Sequence, residues 1–395
     1  MRTFKKSEAL ERLPNQFFAK LVKKVAEVKK HHDDVINLGQ GNPDQPTPQH
    51  IIEELKVAAE NPLYHKYSPF DGFAFLKEAV ANYYMREYGI EIDPSTEVAI
   101  LNGTKTGLVE ISQCFLNEGD TVLVPDPGYP DYWSGIALAG AKMKSIKLKE
   151  ELDFHPDFQE LSEKDWEEAK LMFLNYPNNP TGATATEELF QQVIELADEH
   201  DICVVHDFAY GAIGYDGQKP LSFLQIPGAK EVGIEMMTLS KTYNMAGWRV
   251  GFAIGNPSVI EAIELLQDHY YCSLFGGIQQ AAAHALLSDQ SSVEELVTMY
   301  ESRRDVLVTK AKEMGWHVKA PKGSFFAWFK VPEGFTSEEF ADLLLEKAHV
   351  VVAPGIGFGE AGEGYIRIGL LTDEDTLIEA MNRIAELNVF HTQNV

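Results

Sequence analysis

From about residue 97 to residue 255 the chain alternates short apolar runs rich in strand-forming residues with longer stretches of helical periodicity. The runs are Val98–Leu101, Thr121–Val124, Leu171–Leu174, Ile202–Val205, Met236–Leu239 and Val250–Ile254. Amphipathic stretches such as Glu187–Glu199 lie between them. This alternation predicts βαβ crossovers and a largely parallel sheet, the signature of an α/β fold. Helices over Pro257–Gln267 and Ile278–Leu287 complete the block.

A long helical pattern, about Ser292–Met314, leads into a different arrangement. Strands over Phe325–Phe329, Val350–Val352 and Tyr365–Leu370 flank helices over Ser337–Lys347 and Thr376–Leu387, which predicts a second, smaller α+β domain. The expected division is a large domain over 46–290 and a small one built from 1–45 and 291–395. The first 45 or so residues precede the sheet block and are expected to pack on the small domain or on a partner subunit. Within them, Leu13-Pro-Asn-Gln-Phe17-Phe18 reads either as a closing lid or as an anchor for the N-terminal arm. No internal repeat or low-complexity tract interrupts the pattern.

Composition narrows the partners. With 395 residues, 45% of them hydrophobic, a sizeable core is available and wholesale disorder is excluded. Against 34 basic side chains stand 60 acidic ones, a formal charge of −26, and a field of that sign repels nucleic acid and anionic lipid. An anionic ligand would therefore need locally placed positive groups. Cys114, Cys203 and Cys272 sit in apolar surroundings, none at metal or redox-pair spacing, and read as buried inert thiols. The start, Met-Arg-Thr-Phe-Lys-Lys, leads into a charged segment without an apolar signal core. No run approaches the roughly 18 apolar residues of a membrane span. A cytoplasmic protein is the expectation, with no metal: His31 and His32, at a charged helical end, read as a solvated face rather than ligands.

The most informative local feature is Thr238-Leu-Ser240-Lys241-Thr-Tyr-Asn-Met-Ala-Gly-Trp-Arg249. A lysine beside hydroxyl residues ends an apolar run, and an arginine follows. A covalent imine to pyridoxal phosphate needs such a set: an amine for the aldehyde, with hydroxyls and a guanidinium for the phosphate. Gly103-Thr104-Lys105 ends the first strand and opens a helix, where a tight turn and free N–H groups suit a phosphate, although an ordinary capped turn would look the same.

Asp207 closes the apolar strand Ile202-Cys-Val-Val-His-Asp. A carboxylate there needs a partner, either a protonated pyridine nitrogen or, more simply, the N–H groups of a helix it caps. Tyr176-Pro-Asn-Asn179-Pro-Thr-Gly182 is a turn by composition, and its functional reading gives Asn179 the cofactor ring oxygen. Tyr129, in a proline-rich loop, could stack on the ring, and Tyr210 could donate to the same ring oxygen; both also fit as ordinary aromatics. Arg367, inside the apolar strand Tyr365-Ile-Arg-Ile-Gly-Leu, calls for a carboxylate, structural or substrate. The stretch Gly357-Phe-Gly359-Glu-Ala-Gly362 matches a dinucleotide-binding spacing, but a strand follows it rather than a helix, so that reading fails.

Together these segments resemble the class I/II aminotransferases, pyridoxal-phosphate enzymes of fold type I, nearly end to end from Val35 through the arginine strand. The resemblance implies a large domain with a mostly parallel seven-stranded sheet and a smaller α+β domain. It implies that Lys241 forms the imine, Asp207 pairs the pyridine nitrogen, Asn179 and Tyr210 contact the ring oxygen and Tyr129 stacks. Gly103, Thr104, Lys105, Thr238, Ser240 and Arg249 would surround the phosphate. Thr238 stands where many relatives carry serine, a change that keeps the hydroxyl. Tyr67 looks like the tyrosine that reaches the neighbouring subunit's cofactor, which implies a homodimer with shared active sites. Gly41, in Leu38-Gly-Gln-Gly41-Asn-Pro-Asp44, matches the loop that meets the substrate carboxylate beside Arg367 and Asn179.

Leu38–Pro48, Val124–Gly135 and Val204–Gly211 are worded most like the bacterial methionine-salvage aminotransferases. The implied activity moves an amino group between an L-amino acid and a 2-oxo acid, favouring neutral substrates such as 4-methylthio-2-oxobutyrate. Two alternatives remain at this point: a C–S lyase or decarboxylase on the same scaffold, and the ligand-sensing domain of a regulator, against which the acidic chain argues.

Overall fold

The computed structural model describes residues 1–14 and 17–390, so the Leu13–Phe18 stretch lies in part outside the described residues. The strands, in chain order, are β1 (Ile36–Asn37), β2 (Val98–Leu101), β3 (Thr121–Asp126), β4 (Lys142–Lys147), β5 (Ala169–Asn175), β6 (Cys203–Asp207), β7 (Gly233–Thr238), β8 (Gly251–Gly255), β9 (Phe326–Lys330), β10 (Val350–Val351), β11 (Ala353–Pro354) and β12 (Tyr365–Gly369). Seven of them form one sheet in the order β2-β8-β7-β6-β5-β3-β4. Only β8 runs antiparallel to its neighbours; the other pairs are parallel.

Near-continuous apolar runs are what a parallel sheet covered on both faces requires. Side chains of β5 show the two-residue period directly. Leu171 and Phe173 pack with Val122, Val124, Val205 and Met236 on one face. Met172 and Leu174 pack with Leu123, Val204 and Phe252 on the other. Helices Thr104–Phe115, Asp131–Ala139 and Pro257–Tyr270 cover the first face through Leu108, Ile111, Tyr132, Ile136 and Ile263. Helices Ala74–Tyr88, Glu187–His200 and Gly276–Leu287 cover the second through Leu76, Val80, Phe190, Val193 and Ala282.

Most strand limits shift by one to three residues from the sequence expectation, and β7 and β4 differ for identifiable reasons. β7 begins at Gly233 and ends at Thr238, because the Thr238 side chain accepts from Ser240 N and starts the short helix Leu239–Thr242. β4 had no run of its own: in Lys142-Met-Lys-Ser-Ile-Lys only Ile146 is buried, as befits an edge strand whose lysines discourage further pairing.

A smaller assembly is built on the antiparallel sheet β11-β12-β9, with β1 pairing parallel to β10. Phe325, Ala327, Phe329, Ile366 and Ile368 share a core with Tyr300 and Leu307 of helix Ser291–Glu313 and with Leu377 and Met381 of helix Glu374–Ala385. Tyr210, Ile213 and Tyr215, from the loop after β6, enter the same core. The expected helix Ser337–Lys347 starts as α-helix, with a Thr336–Glu339 capping box, and widens into a π-turn over Leu344–Ala348. No helix among the described residues is long and apolar enough to cross a membrane.

Candidate active site

Strands β5, β6 and β7 run parallel and end at Asn175, Asp207 and Thr238, so their polar termini converge at one edge, where open α/β sheets bind ligands. A cavity of about 540 Å³ opens there. Gly41, Thr104, Lys105, Tyr129, Asn179, Asp207, Tyr210, Thr238, Ser240, Lys241, Arg249 and Arg367 all line it. Gly103 sits just behind Arg249: a Cβ on it would lie 2.0 Å from Arg249 Nη2. Tyr67 is not among them; it is 91% exposed, on the segment before helix Ala74–Tyr88.

Asp207 is buried, with Oδ2 accepting from Tyr132 at 2.9 Å and Oδ1 from Ala209 N at 3.3 Å. Burial pushes its carboxyl up to about 6, against the opposing Tyr132 bond. Lys241, in the short helix Leu239–Thr242 that follows β7, places Nζ 3.2 Å from Gly41 O and 5.4 Å from the Phe325 ring centroid. Burial, helped by the Arg367 charge, pushes its amine down to about 8, while Asp207 pulls the other way. An amine held partly neutral can act as nucleophile or base; a carboxyl beside it can hold a proton on a basic ring nitrogen.

The positive side of the cavity is assembled around the start of helix Thr104–Phe115. Gly103 takes φ 83°, which lets the chain turn into the helix with its first N–H groups free of intrahelical partners. Thr238 Oγ1 lies 3.0 Å from Ser240 Oγ and accepts from Ser240 N at 3.2 Å, putting two hydroxyls side by side. Arg249 donates to Ala246 O at 2.9 Å and lies in no ion pair among the described residues, whereas Lys105 is paired with Asp131 at 3.0 Å. Helix N–H groups, two hydroxyls and a guanidinium that pairs with no carboxylate among the described residues fit a phosphate. With Lys241 for an aldehyde and Asp207 for a pyridine nitrogen, the residues fit pyridoxal phosphate.

Arg367 points in from β12. Nη1 donates to Asn179 Oδ1 at 2.9 Å and Nη2 to Gly39 O at 3.1 Å, but buried Nε has no partner. Its Cζ lies 3.9 Å from the Phe326 ring centroid and 4.7 Å from that of Phe358. Burial pushes the guanidinium down to about 10. Among the described residues no carboxylate pairs with it, so the fork is held open for one from outside.

Several residues that shape the site escaped the sequence reading. Asn175 joins two parts of the site: Nδ2 donates to Asp207 O at 2.7 Å and Oδ1 accepts from Asn179 N at 2.7 Å. A buried amide ending a strand was the available signal. Tyr132 lies three residues beyond Tyr129 and stacks on Phe173 at 4.9 Å, which aims its hydroxyl at Asp207. Leu21, Val22 and Val25 of helix Phe17–Lys29 also line the cavity, and nothing in their spacing announces more than an amphipathic face.

The model of the aminotransferase class I and II family matches residues 33–384, and the chain belongs to that family. It is a pyridoxal-phosphate-dependent transaminase acting on amino acids and 2-oxo acids. The chain is 62% identical, over 99% of its length and 98% of the relative's, to an L-glutamine–4-(methylsulfanyl)-2-oxobutanoate aminotransferase of Bacillus subtilis. It is 43% identical to an LL-diaminopimelate aminotransferase of Halothermothrix orenii, over 97% of this chain and 98% of that one. The solved substrate-bound BacF of Bacillus subtilis superposes with a TM-score of 0.93 at 48% identity, covering 98% of both chains.

Proposed function

We propose that this transaminase passes the amino group of a neutral L-amino acid, glutamine foremost, to 4-methylthio-2-oxobutyrate. The observation that carries the substrate class is that apolar Leu21, Val22 and Val25 line the same cavity as Arg367, whose buried Nε has no partner. A 2-oxo acid with an apolar tail satisfies both sides, whereas a second carboxylate would meet alkyl groups and lose its hydration without compensation. Identity of 62% to the glutamine-dependent methylthio-acid enzyme supports the same choice.

When bound, pyridoxal phosphate supplies an aldehyde that carries the amino group and a ring that takes up electrons. Phosphate recognition falls to the start of helix Thr104–Phe115, Gly103, Lys105, Thr238, Ser240 and Arg249. Asp207, its ionised form favoured by the Tyr132 hydroxyl, would keep a proton on the ring nitrogen; Asn179 and Tyr210 would hold the ring oxygen, and Tyr129 would cover the ring. Arg367, with Asn179 and the Gly41 loop, grips the substrate carboxylate. Lys241, whose amine is pushed down to about 8, would hold the aldehyde and would carry a proton to and from the substrate Cα. Phe326 and Phe358 exclude water around the guanidinium and strengthen its pairing.

The division into a large domain, 46–290, and a small one, 1–45 with 291–395, belongs to the same reading. So do a cytoplasmic location and a homodimer in which Tyr67 reaches the other subunit's phosphate. Leu63, Tyr67, Phe70 and Tyr270, all exposed, supply apolar surface for that contact. A panel of amino donors against 2-oxo acids tests the substrate choice. Glutamine with the methylthio acid should lead; equal rates with aspartate would overturn it. Release of pyruvate and ammonia from a sulfur amino acid would indicate lyase chemistry instead.

A further inference from the structure

Away from the cavity, one cluster of ligating side chains ties the N-terminal segment to the smaller assembly. His32 and Asp34 lie between helix Phe17–Lys29 and β1, and His349 lies between the π-turn Leu344–Ala348 and β10. The β1–β10 ladder brings the two segments together, with Ile36 N donating to His349 O at 2.9 Å. His349 takes φ 55° as the left-handed cap that ends the π-turn. Its Nδ1 lies 3.0 Å from both Asp34 carboxylate oxygens. The His32 ring sits over that of His349, with centroids 4.0 Å apart. One ligand atom from each residue falls within 4.8 Å of the other two.

One edge of this cluster, the 3.0 Å hydrogen bond between His349 Nδ1 and Asp34, is near the spacing a small cation imposes. Tetrahedral zinc with bonds of about 2.0–2.1 Å separates its ligand atoms by roughly 3.3 Å. The His349–Asp34 edge is already 3.0 Å, and the His32 side chain, being exposed, can close the remaining gap by rotating. Arg383 is the competing cation: Nη1 donates to Asp34 O at 2.8 Å and to Oδ2 at 3.2 Å, which leaves Oδ1 to His349. Glu379 partly neutralises Arg383 through Nε at 2.8 Å. His32 also lines a groove with Glu27, Val28, His31 and Glu346.

We propose that His32, Asp34 and His349 form a binding site for a divalent transition-metal ion of the Zn²⁺ type. Two imidazoles and one carboxylate favour such an ion over Mg²⁺ or Ca²⁺, which prefer all-oxygen sets. Water completes the coordination. The cation fastens the C-terminal end of helix Phe17–Lys29 to the β1–β10 ladder, and so restrains the element that brings Leu21, Val22 and Val25 to the cavity. His32 thereby gains a role that its charged, helix-end context concealed.

Titration of the cofactor-loaded protein with Zn²⁺, followed calorimetrically in a non-chelating buffer, tests the site directly. One Zn²⁺ per chain should bind; His32→Gln and Asp34→Asn should each weaken it at least about tenfold, and excess Mg²⁺ should not compete. Both substituted side chains are exposed, so the variants should fold; His349→Asn, which tolerates the left-handed backbone, provides a third. Zn²⁺ should also slow tryptic cleavage at Lys29 and Lys30 in the parent protein and not in His32→Gln. Absence of a stoichiometric site, or equal affinity in the parent and His32→Gln, overturns the proposal.

Discussion

Replacing Arg367 by glutamine separates what the residue does for substrate from what it does for the fold. Its guanidinium makes two hydrogen bonds, to Asn179 Oδ1 and Gly39 O, and leaves Nε buried without a partner. An orphaned buried donor costs about 1–3 kcal/mol, and a bond to a charged group contributes about 1.5–3 kcal/mol. In the folded protein without substrate these terms nearly cancel, so Arg367→Gln should leave the unfolding free energy within about 1 kcal/mol of the parent. The substrate carboxylate should lose two charge-assisted bonds together worth about 3–6 kcal/mol, corresponding to roughly 10²- to 10⁴-fold in kcat/KM. Steady-state kinetics with the methylthio acid and a denaturant titration of the same preparation give both numbers. A variant with unchanged kcat/KM but several kcal/mol less stable would refute the reasoning and make Arg367 a structural residue.

Tyr132→Phe removes the hydroxyl that donates to Asp207 at 2.9 Å, so the Asp207 carboxyl should rise above about 6 in the cofactor-free protein. Carboxyl-labelled NMR titration measures it, and an unmoved midpoint would contradict the role given to Tyr132. Because the neutral amine is the nucleophile and Lys241 is pushed down to about 8, attachment of pyridoxal phosphate to the cofactor-free protein should accelerate as pH rises through about 8. In Arg367→Gln that limb should move to higher pH, since a neighbouring positive charge that depresses the amine has gone; stopped-flow absorbance follows both, and a flat profile would exclude Lys241 as the group titrating. Gly103→Ala should displace the Arg249 guanidinium, 2.0 Å from the new Cβ, and weaken cofactor retention about ten- to hundredfold. Equilibrium dialysis reads that loss, and unchanged retention would show that Arg249 does not hold the phosphate.

The strands of the central sheet were legible because a sheet buried on both faces writes uninterrupted apolar runs, and Leu171–Leu174 and Val98–Leu101 are such runs. β4 was hidden because an edge strand needs only one buried residue, Ile146. The widening of helix Ser337–Leu343 into a π-turn carries no glycine or proline to mark it. At the site, residues whose chemistry is unusual for their surroundings stood out: a lysine ending an apolar strand, and an arginine within another. Asn175 and Tyr132 did not, since their work lies in bonds to Asp207 and Asn179 that only the three-dimensional arrangement reveals. The apolar wall of Leu21, Val22 and Val25 was equally silent, because a helix face toward a ligand cavity has the same periodicity as one toward a core.

Borohydride reduction of the cofactor-loaded protein, followed by peptide mapping, tests the central claim most directly. A single pyridoxyl label on the peptide carrying Lys241 is the expected result. A label on any other lysine, or none, would contradict the assignment of this cavity as the seat of amino-group transfer.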